Sequence, residues 1–548
     1  MATLHITTKV RSQNPSSSSL GKPIRSEKVS QLSQRLKQAF HKHHLRPALW
    51  VQNATYTYQQ LEDRADIVAR SLIKQRASSV LLFVGKSFDG YASILACALS
   101  ETTYIPLNNA FPSEKLAAII HRSGCRTLIV DEESAALLTS LLPLCKTPIK
   151  ILSHSPLTLA TQGHDIVHIG AFDEFTSSIE AERKENAYVY LMFTSGSTGT
   201  PKGVPVNQQN LLSYLDGITS LYDFSHEDRH SQFFDFTFDL SVHDLFVCWT
   251  TGGCLYAASA FDKLLPTKFV NTHQLTVWFS TPSMVTFAKK TMGQRFYSES
   301  IPTLRHSLFC GEALPDTVVE DWQNLATNST VDNLYGPTEA TIAFTLFRVE
   351  RGGEKPFSIT PIGAPFGRNT CVILNDAFLP VELNQVGQLY LIGPQVVDGY
   401  WQDAENTCTA FMTGLPDESG REQTLYRTGD LASYDDSGII HFHGRADHQV
   451  KLRGYRVELQ EIESLLCQSM HSDQFVVIPY PYGEKTCTGL TLCHTHRGVT
   501  QEDILERCRQ ALPSYMVPDT VVFLQQLPMN SSGKLDRRAI TEQLTAKE

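Results

Sequence analysis

Several charged side chains in this sequence stand among glycines and hydroxyl residues in arrangements suited to gripping phosphate. At 192–206, MFTSGSTGTPKGVPV, an apolar run ends and Thr194, Ser195, Gly196, Ser197, Thr198, Gly199 and Thr200 follow before Pro201-Lys202-Gly203. Glycines let backbone N–H groups approach an anion, hydroxyls donate hydrogen bonds, and Lys202 adds charge. Two other readings compete. A flexible surface turn has the same composition. The Walker loop requires G-x-x-x-x-G-K-[ST], but here Pro201 precedes the lysine and Gly203 follows it. Downstream come NLYGPTEAT (333–341), YRTGDL (426–431), GRADHQVKLRGYRVELQEIE (444–463) and NSSGKLDR (530–537). Taken singly, each is an ordinary turn with a charged residue beside it.

In that order, the stretches resemble the motif series of the adenylate-forming (ANL) superfamily. The likeness is to amino-acid adenylation domains of the nonribosomal peptide synthetase type, and to stand-alone ligases that load D-alanine onto a carrier protein. It runs from YTYQQL (56–61) through TTYIPLNNAFP (102–112) and GQLYLIGPQVVDGYW (387–401) to Lys534. It implies ATP and Mg2+ as cofactors, with Thr194 to Gly199, Lys202, Gly311, Glu312, Asn333, Tyr335, Gly336, Asp430 and Arg445 around the nucleotide.

Elementary chemistry agrees at each station. Tyr335 offers a face for adenine and Asn333 a hydrogen bond for its edge. Thr338 follows a Gly-Pro turn and suits the α-phosphate, while the Glu339 carboxylate suits magnesium, directly or through water. Asp430 accepts from ribose hydroxyls and Arg445 adds donors. The resemblance brings Lys534 into the active site. A carboxylate attacking a phosphate needs a cation between two anions. The implied reaction is in-line displacement of pyrophosphate from ATP by a carboxylate, then attack of a thiol on the acyl-adenylate.

FFDFTFDLSVHDLF (233–246) contains F-D-x-S, whose aspartate pairs with the substrate ammonium in amino-acid-activating relatives. The spacing to Ser241 favours Asp239 over Asp235. Motif correspondence makes Leu240, His243, Phe279, Leu308, Cys310, Leu334, Ile342 and Ala343 the remaining pocket wall. Their bulk suggests a small, mostly aliphatic amino acid. For His243, lining the pocket and simple packing stand equal. No L-G-G-x-S carrier motif is present, so the expected acceptor is the phosphopantetheine thiol of a separate carrier protein. An acyl-CoA synthetase and a non-catalytic nucleotide-binding regulator are the rival readings. The resemblance also implies that the small C-terminal domain turns about a hinge at Asp447, bringing Lys451 and the Gly454 loop to the active site in a second state.

The elements that must position these residues follow from periodicity and composition. Apolar runs such as SSVLLFVG and RTLIVD alternate with helical patterns such as YASILACALS, which predicts an α/β fold with parallel strands. The expected organisation is a disordered tail over 1–28 and a core domain over 29–444 with parallel-sheet subdomains and a β-barrel-like part. A mobile α+β lid follows over 445–548, with a helix opening at Thr500 and capped through Asp503. At 548 residues, two or three domains are expected. The net charge of −10, without a basic run, argues against nucleic acid as a partner. No long apolar run or secretory signal is seen, so a cytoplasmic protein without membrane contact is expected. The twelve cysteines are scattered without a C-x-x-C pair, so buried thiols rather than zinc ligands are expected.

Overall fold

The computed structural model describes residues 32–157, 163–169, 188–196, 201–352, 358–416, 422–447, 449–470, 475–482, 487–496, 498–528 and 535–546. The tail over 1–28, Ser197, Thr198, Gly199 and Lys534 lie outside the described residues.

Two sheets with parallel cores dominate the large domain. A seven-stranded sheet takes the order Asp165–His168, Lys150–Ser153, Thr127–Val130, Ser79–Phe83, Thr103–Pro106, Tyr188–Thr194, Lys202–Asn207. All its neighbours are parallel except the last pair, where Thr194 faces Lys202. A nine-stranded sheet carries Thr330–Tyr335, His306–Phe309, Val277–Ser280, Arg229–Gln232, Cys254–Ala257 and Pro47–Val51 as parallel neighbours, with antiparallel strands at both edges. Strands buried on both faces read as continuous apolar runs, which is why YVYLMF and SVLLF look as they do. The helices Phe88–Leu99 and Asp239–Thr251 are buried almost all round, and their side chains belong to one continuous core with both sheets.

The barrel-like portion of the expectation is a five-stranded antiparallel sheet. Its 13-residue strand Glu422–Tyr434 pairs with Gly387–Ile392, Phe411–Pro416 and Ile440–Arg445. The hairpin Gln449–Leu452/Tyr455–Glu458 comes next, and its Leu452 and Val457 pack into the core of the small domain. A three-stranded sheet follows, formed by Phe475–Tyr480, Gly489–His494 and Thr520–Phe523 and flanked by helices Leu459–Met470, Gln501–Ala511 and Arg537–Thr545. Its main core, from Leu452 to Val521, takes no residue from the large domain. Thr500 caps Gln501–Ala511 in a reciprocal capping box with Asp503. Among the described residues, no helix is long and apolar enough to cross a membrane.

Candidate active site

The candidate residues converge at strand ends of the large domain, beneath the 449–458 hairpin of the small one. Both domains line a cavity of about 110 Å³, with Thr194, Asp239, Leu240 and Thr338 on one side and Lys451, Gly454 and Arg456 on the other. A larger crevice of about 2130 Å³ opens beside it along the domain boundary. Ligands in open α/β folds bind outside the carboxyl ends of the strands, which is where chain reversals leave room.

The phosphate-loop candidates begin where Tyr188–Thr194 ends. The Thr194 hydroxyl is buried without a hydrogen-bond partner among the described residues. Ser195 donates to the carbonyl of Arg456 at 2.5 Å, and Lys202 Nζ stands 5.6 Å from the Tyr400 ring centre.

Asp239 occupies the first turn of helix Asp239–Thr251, and its Oδ2 is buried without a partner among the described residues. Burial pushes its carboxyl up to about 6, against the opposing effect of the neighbouring Thr338 hydroxyl. A helix N-terminus tolerates the ionised form, but among the described residues Asp239 forms no ion pair. Asp235 differs. Its Oδ1 accepts from the backbone N–H and the hydroxyl of Thr237 at 3.0 and 2.6 Å, a local turn that engages it.

Glu339 lies in the short turn Thr338–Ala340 and is fully buried. Its carboxylate accepts from Tyr400 Oη at 2.7 Å and takes Arg456 Nη1 on both oxygens, at 2.8 and 2.9 Å. Burial alone would raise this carboxyl, but Arg456 and Tyr400 outweigh it and hold it below the usual range. Removing either partner of such a pair typically costs about 3–5 kcal/mol, because one charge stays buried and unpaired.

Beyond Glu339 the backbone is strained. Thr341 and Ile342 have φ of 56° and 74°, the left-handed region that β-branched residues avoid. Gln395 holds the turn in place. Its Nε2 donates to the carbonyls of Ala340, Thr341 and Ala343, at 2.8 Å to the last, and its backbone carbonyl accepts from the Thr341 hydroxyl. A Cβ on Gly336 would lie 2.6 Å from Ala343 Cα, so only glycine fits there.

The ribose candidates form one network. Asp430 accepts from Tyr335 Oη at 2.5 Å and from Arg445 Nη1 at 2.8 Å. Arg445 also grips the hinge candidate Asp447 through two bonds of 2.6 Å. Asn333 spends its amide N–H on the carbonyls of Thr360 and Pro361. Glu312 accepts from the N–H groups of Ser283 and Gly454 at 2.9 and 2.6 Å. Gly454, at φ 84°, sits so close that a Cβ would meet Thr281 at 2.7 Å. Lys451 Nζ stands 5.4 Å from the Tyr335 ring centre. Tyr455 stacks on Tyr515 and meets Phe238 edge-on.

Of the remaining wall candidates, Leu240 lines the small cavity and Leu334 the crevice. Phe279, Leu308, Cys310, Ile342 and Ala343 are packed in the core around them. His243 is buried, with Nδ1 2.6 Å from Tyr214 Oη and its ring 4.4 Å from that of Phe279. Burial pushes its imidazole down to about 3, so it is neutral near pH 7. Sequence reasoning missed Arg456, Tyr400 and Gln395. For Arg456 a signal existed: it lies two residues beyond Gly454, within GRADHQVKLRGYR.

Among the described residues, the buried, unpartnered Thr194 and Asp239 oxygens fit a polar ligand. Glu339 fits a cation, since it already holds one. Residues 36–401 match the AMP-binding enzyme family and 461–534 its C-terminal domain. The D-alanine--D-alanyl carrier protein ligase of Bacillus cytotoxicus is 30% identical over 512 residues, covering 90% of this chain and 95% of that protein. A linear gramicidin synthase of Brevibacillus parabrevis is 30% identical over 90% of this chain, which corresponds to 6% of that much longer protein. The crystal structure of the Vibrio cholerae adenylation domain AlmE, in complex with glycyl-adenosine-5'-phosphate, superposes with a TM-score of 0.85 at 32% identity, over 96% of this chain and 100% of that one. The match exceeds half of the chain and spans both domains: this protein belongs to the AMP-binding enzyme family.

Proposed function

We propose that this chain is an amino-acid adenylating ligase that activates a small amino acid with ATP and passes it to the phosphopantetheine thiol of a separate carrier protein. The observation that carries the substrate class is Asp239, a buried carboxylate in a first helical turn with one oxygen unpartnered at the cavity wall. A substrate ammonium supplies the missing counter-charge, which a fatty or aryl acid lacks. The cavity is small, and Leu240 helps to bound it. The Vibrio cholerae relative holds a glycyl adenylate and other relatives carry D-alanine in their names, so glycine and alanine are the favoured candidates.

In this reading the amino acid's carboxylate oxygen attacks the α-phosphorus of ATP, the bond to the bridging oxygen breaks, and pyrophosphate leaves. The loop from Thr194 to Lys202 binds the phosphates, Thr338 orients the α-phosphate, and Asp430 with Arg445 holds the ribose. Glu339 would hold Mg2+, which when bound would neutralise phosphate charge. Lys534 sets its cation between carboxylate and phosphate. The thiol then attacks the acyl carbon and AMP departs. No side chain becomes acylated, so the loop hydroxyls bind and orient. The arrangement with Lys451 and Gly454 at the cavity is the thiol-transfer state, and Asp447 is where the chain turns to reach the other. The need for ATP favours the cytoplasm as its location.

Amino-acid-dependent pyrophosphate exchange, run with glycine, both alanines and proline, tests this. Exchange with a small amino acid, abolished in Lys534→Ala, is the expected result. Exchange supported only by fatty or aryl acids would overturn it.

A further inference from the structure

Arg456 stands on the small domain, yet its side chain occupies a carboxylate of the large one. Its Nη1 meets both oxygens of the fully buried Glu339. Its backbone carbonyl takes the Ser195 hydroxyl, a second group of the phosphate-binding machinery. One residue of the hairpin thus fills two positions that the nucleotide's phosphates and their metal require. Around it, Gly454 N–H is bound to Glu312, and Lys115 to Glu461 at 2.9 Å across the same boundary. The hairpin is therefore docked at several points, but among the described residues only Arg456 pairs with Glu339 as a cation.

We infer that Arg456 is a positioning residue that replaces Mg2+ on Glu339, so that metal at this carboxylate and docking of the 449–458 hairpin exclude one another. The inference rests on the adenylation reading. A fully buried carboxylate needs one counter-charge, and two cations on the same oxygens repel. While Mg2+ and the β- and γ-phosphates are held, the guanidinium has no place and the hairpin stays away. Once pyrophosphate leaves with its metal, Glu339 is exposed to a desolvation penalty that Arg456 relieves by docking. The order of the two half-reactions is then enforced by competition for one carboxylate. By linkage, whatever factor Mg2+ takes from docking, docking takes from Mg2+ affinity.

The test uses the full chain with a donor and acceptor dye at the exposed positions Leu45 and Arg538. Domain distance is followed as MgCl2 is added with α,β-methylene-ATP, which cannot release pyrophosphate. Mn2+ affinity is read in parallel by electron paramagnetic resonance. In the wild type, metal is expected to lower the docked population. Arg456→Gln is expected to lower it about tenfold without metal, to abolish the metal response, and to bind Mn2+ at least as tightly as before. Arg456→Lys, which keeps the charge on a different head group, is expected to recover part of the response. Docking indifferent to metal in the wild type, or weaker Mn2+ binding in Arg456→Gln, would overturn the inference. Pyrophosphate exchange by the wild type separates the two levels. Its absence with every amino acid sinks the adenylation reading, whereas exchange together with metal-indifferent docking sinks only the role of Arg456.

Discussion

Asp239 and Glu339 are both buried carboxylates, the first lining the small cavity and the second lying behind Thr338 and Arg456 of its wall, yet their environments displace them in opposite directions. Asp239 is pushed up to about 6 because burial is only partly offset by the Thr338 hydroxyl and nearby backbone, and Oδ2 has no partner among the described residues. Glu339 is held low because Arg456 and Tyr400 overcome an even more complete burial. Among the described residues, one carboxylate has a cation of the protein's own and the other has none. A buried acid left unsatisfied is costly to fold around, and proteins keep such acids where a ligand completes them. The contrast separates a carboxylate with an open oxygen from one already paired with an arginine, and on the proposed function the first awaits a ligand's charge.

The largest expected effect breaks the first half of this contrast. On the proposed function, Asp239→Asn removes the charge offered to the amino acid's ammonium, an expected loss of about 3–5 kcal/mol, or roughly a hundredfold to a few thousandfold in kcat/KM for the amino acid. The KM for ATP should change little. Asp235→Asn is the control, since that carboxylate serves the Thr237 turn. Steady-state pyrophosphate exchange on both variants decides the register, and a larger loss in Asp235→Asn would reassign the ammonium site.

A smaller effect is legible in stability against pH. Asp239 is raised on folding, so between about 3.8 and 6 the native state holds a proton that the unfolded chain has lost. Stability from this group therefore falls as pH rises through that window and is flat above it, at a cost of about 3 kcal/mol in the ligand-free protein. Glu339, lowered on folding, has the opposite sign: its contribution is present above the usual carboxylate pKa and is lost as pH falls through its folded value. Asp239→Asn should thus be more stable than the wild type at pH 7 while binding its amino acid far less well. Chemical denaturation at pH 4 and pH 7 measures this. A variant destabilised equally at both would mean that Asp239 is not strained in the free protein.

Which parts of this arrangement were legible in the sequence depends on how local their causes are. The run YVYLMF ending in Thr194, the buried strand in SSVLLFVG and the Thr500–Asp503 capping box follow from patterns a few residues long, and each lies where its pattern predicts. The partners of Asp430 come from motifs that were visible separately. Arg456 on Glu339, Tyr400 beside it and Gln395 under the strained turn at Thr341 were not visible. They are joined across long stretches of chain, and for Arg456 across a domain boundary. No periodicity encodes which arginine of LRGYR meets which carboxylate, because that depends on how one domain is set upon the other.

The smallest effect sharpens the contrast at a third buried polar group, His243. Its imidazole is neutral near pH 7, its Nδ1 meets Tyr214 Oη at 2.6 Å, and its Nε2 is buried without a partner among the described residues. Like Glu339 it has a partner within the protein; like Asp239 it keeps one atom unsatisfied. A neutral ring needs no counter-charge, so the open nitrogen costs far less than an open carboxylate oxygen. His243 also packs against Phe279 inside the core rather than at the small cavity. Tyr214→Phe should therefore cost about 1–2 kcal/mol of stability, the value of a buried hydrogen bond whose partner is left behind. It should leave the KM for the amino acid within about threefold, a margin below about 1 kcal/mol. Thermal unfolding and pyrophosphate exchange on this one variant suffice. A changed preference between glycine and a larger amino acid, with stability unmoved, would place His243 in the specificity pocket and make its open nitrogen a second group that waits for substrate.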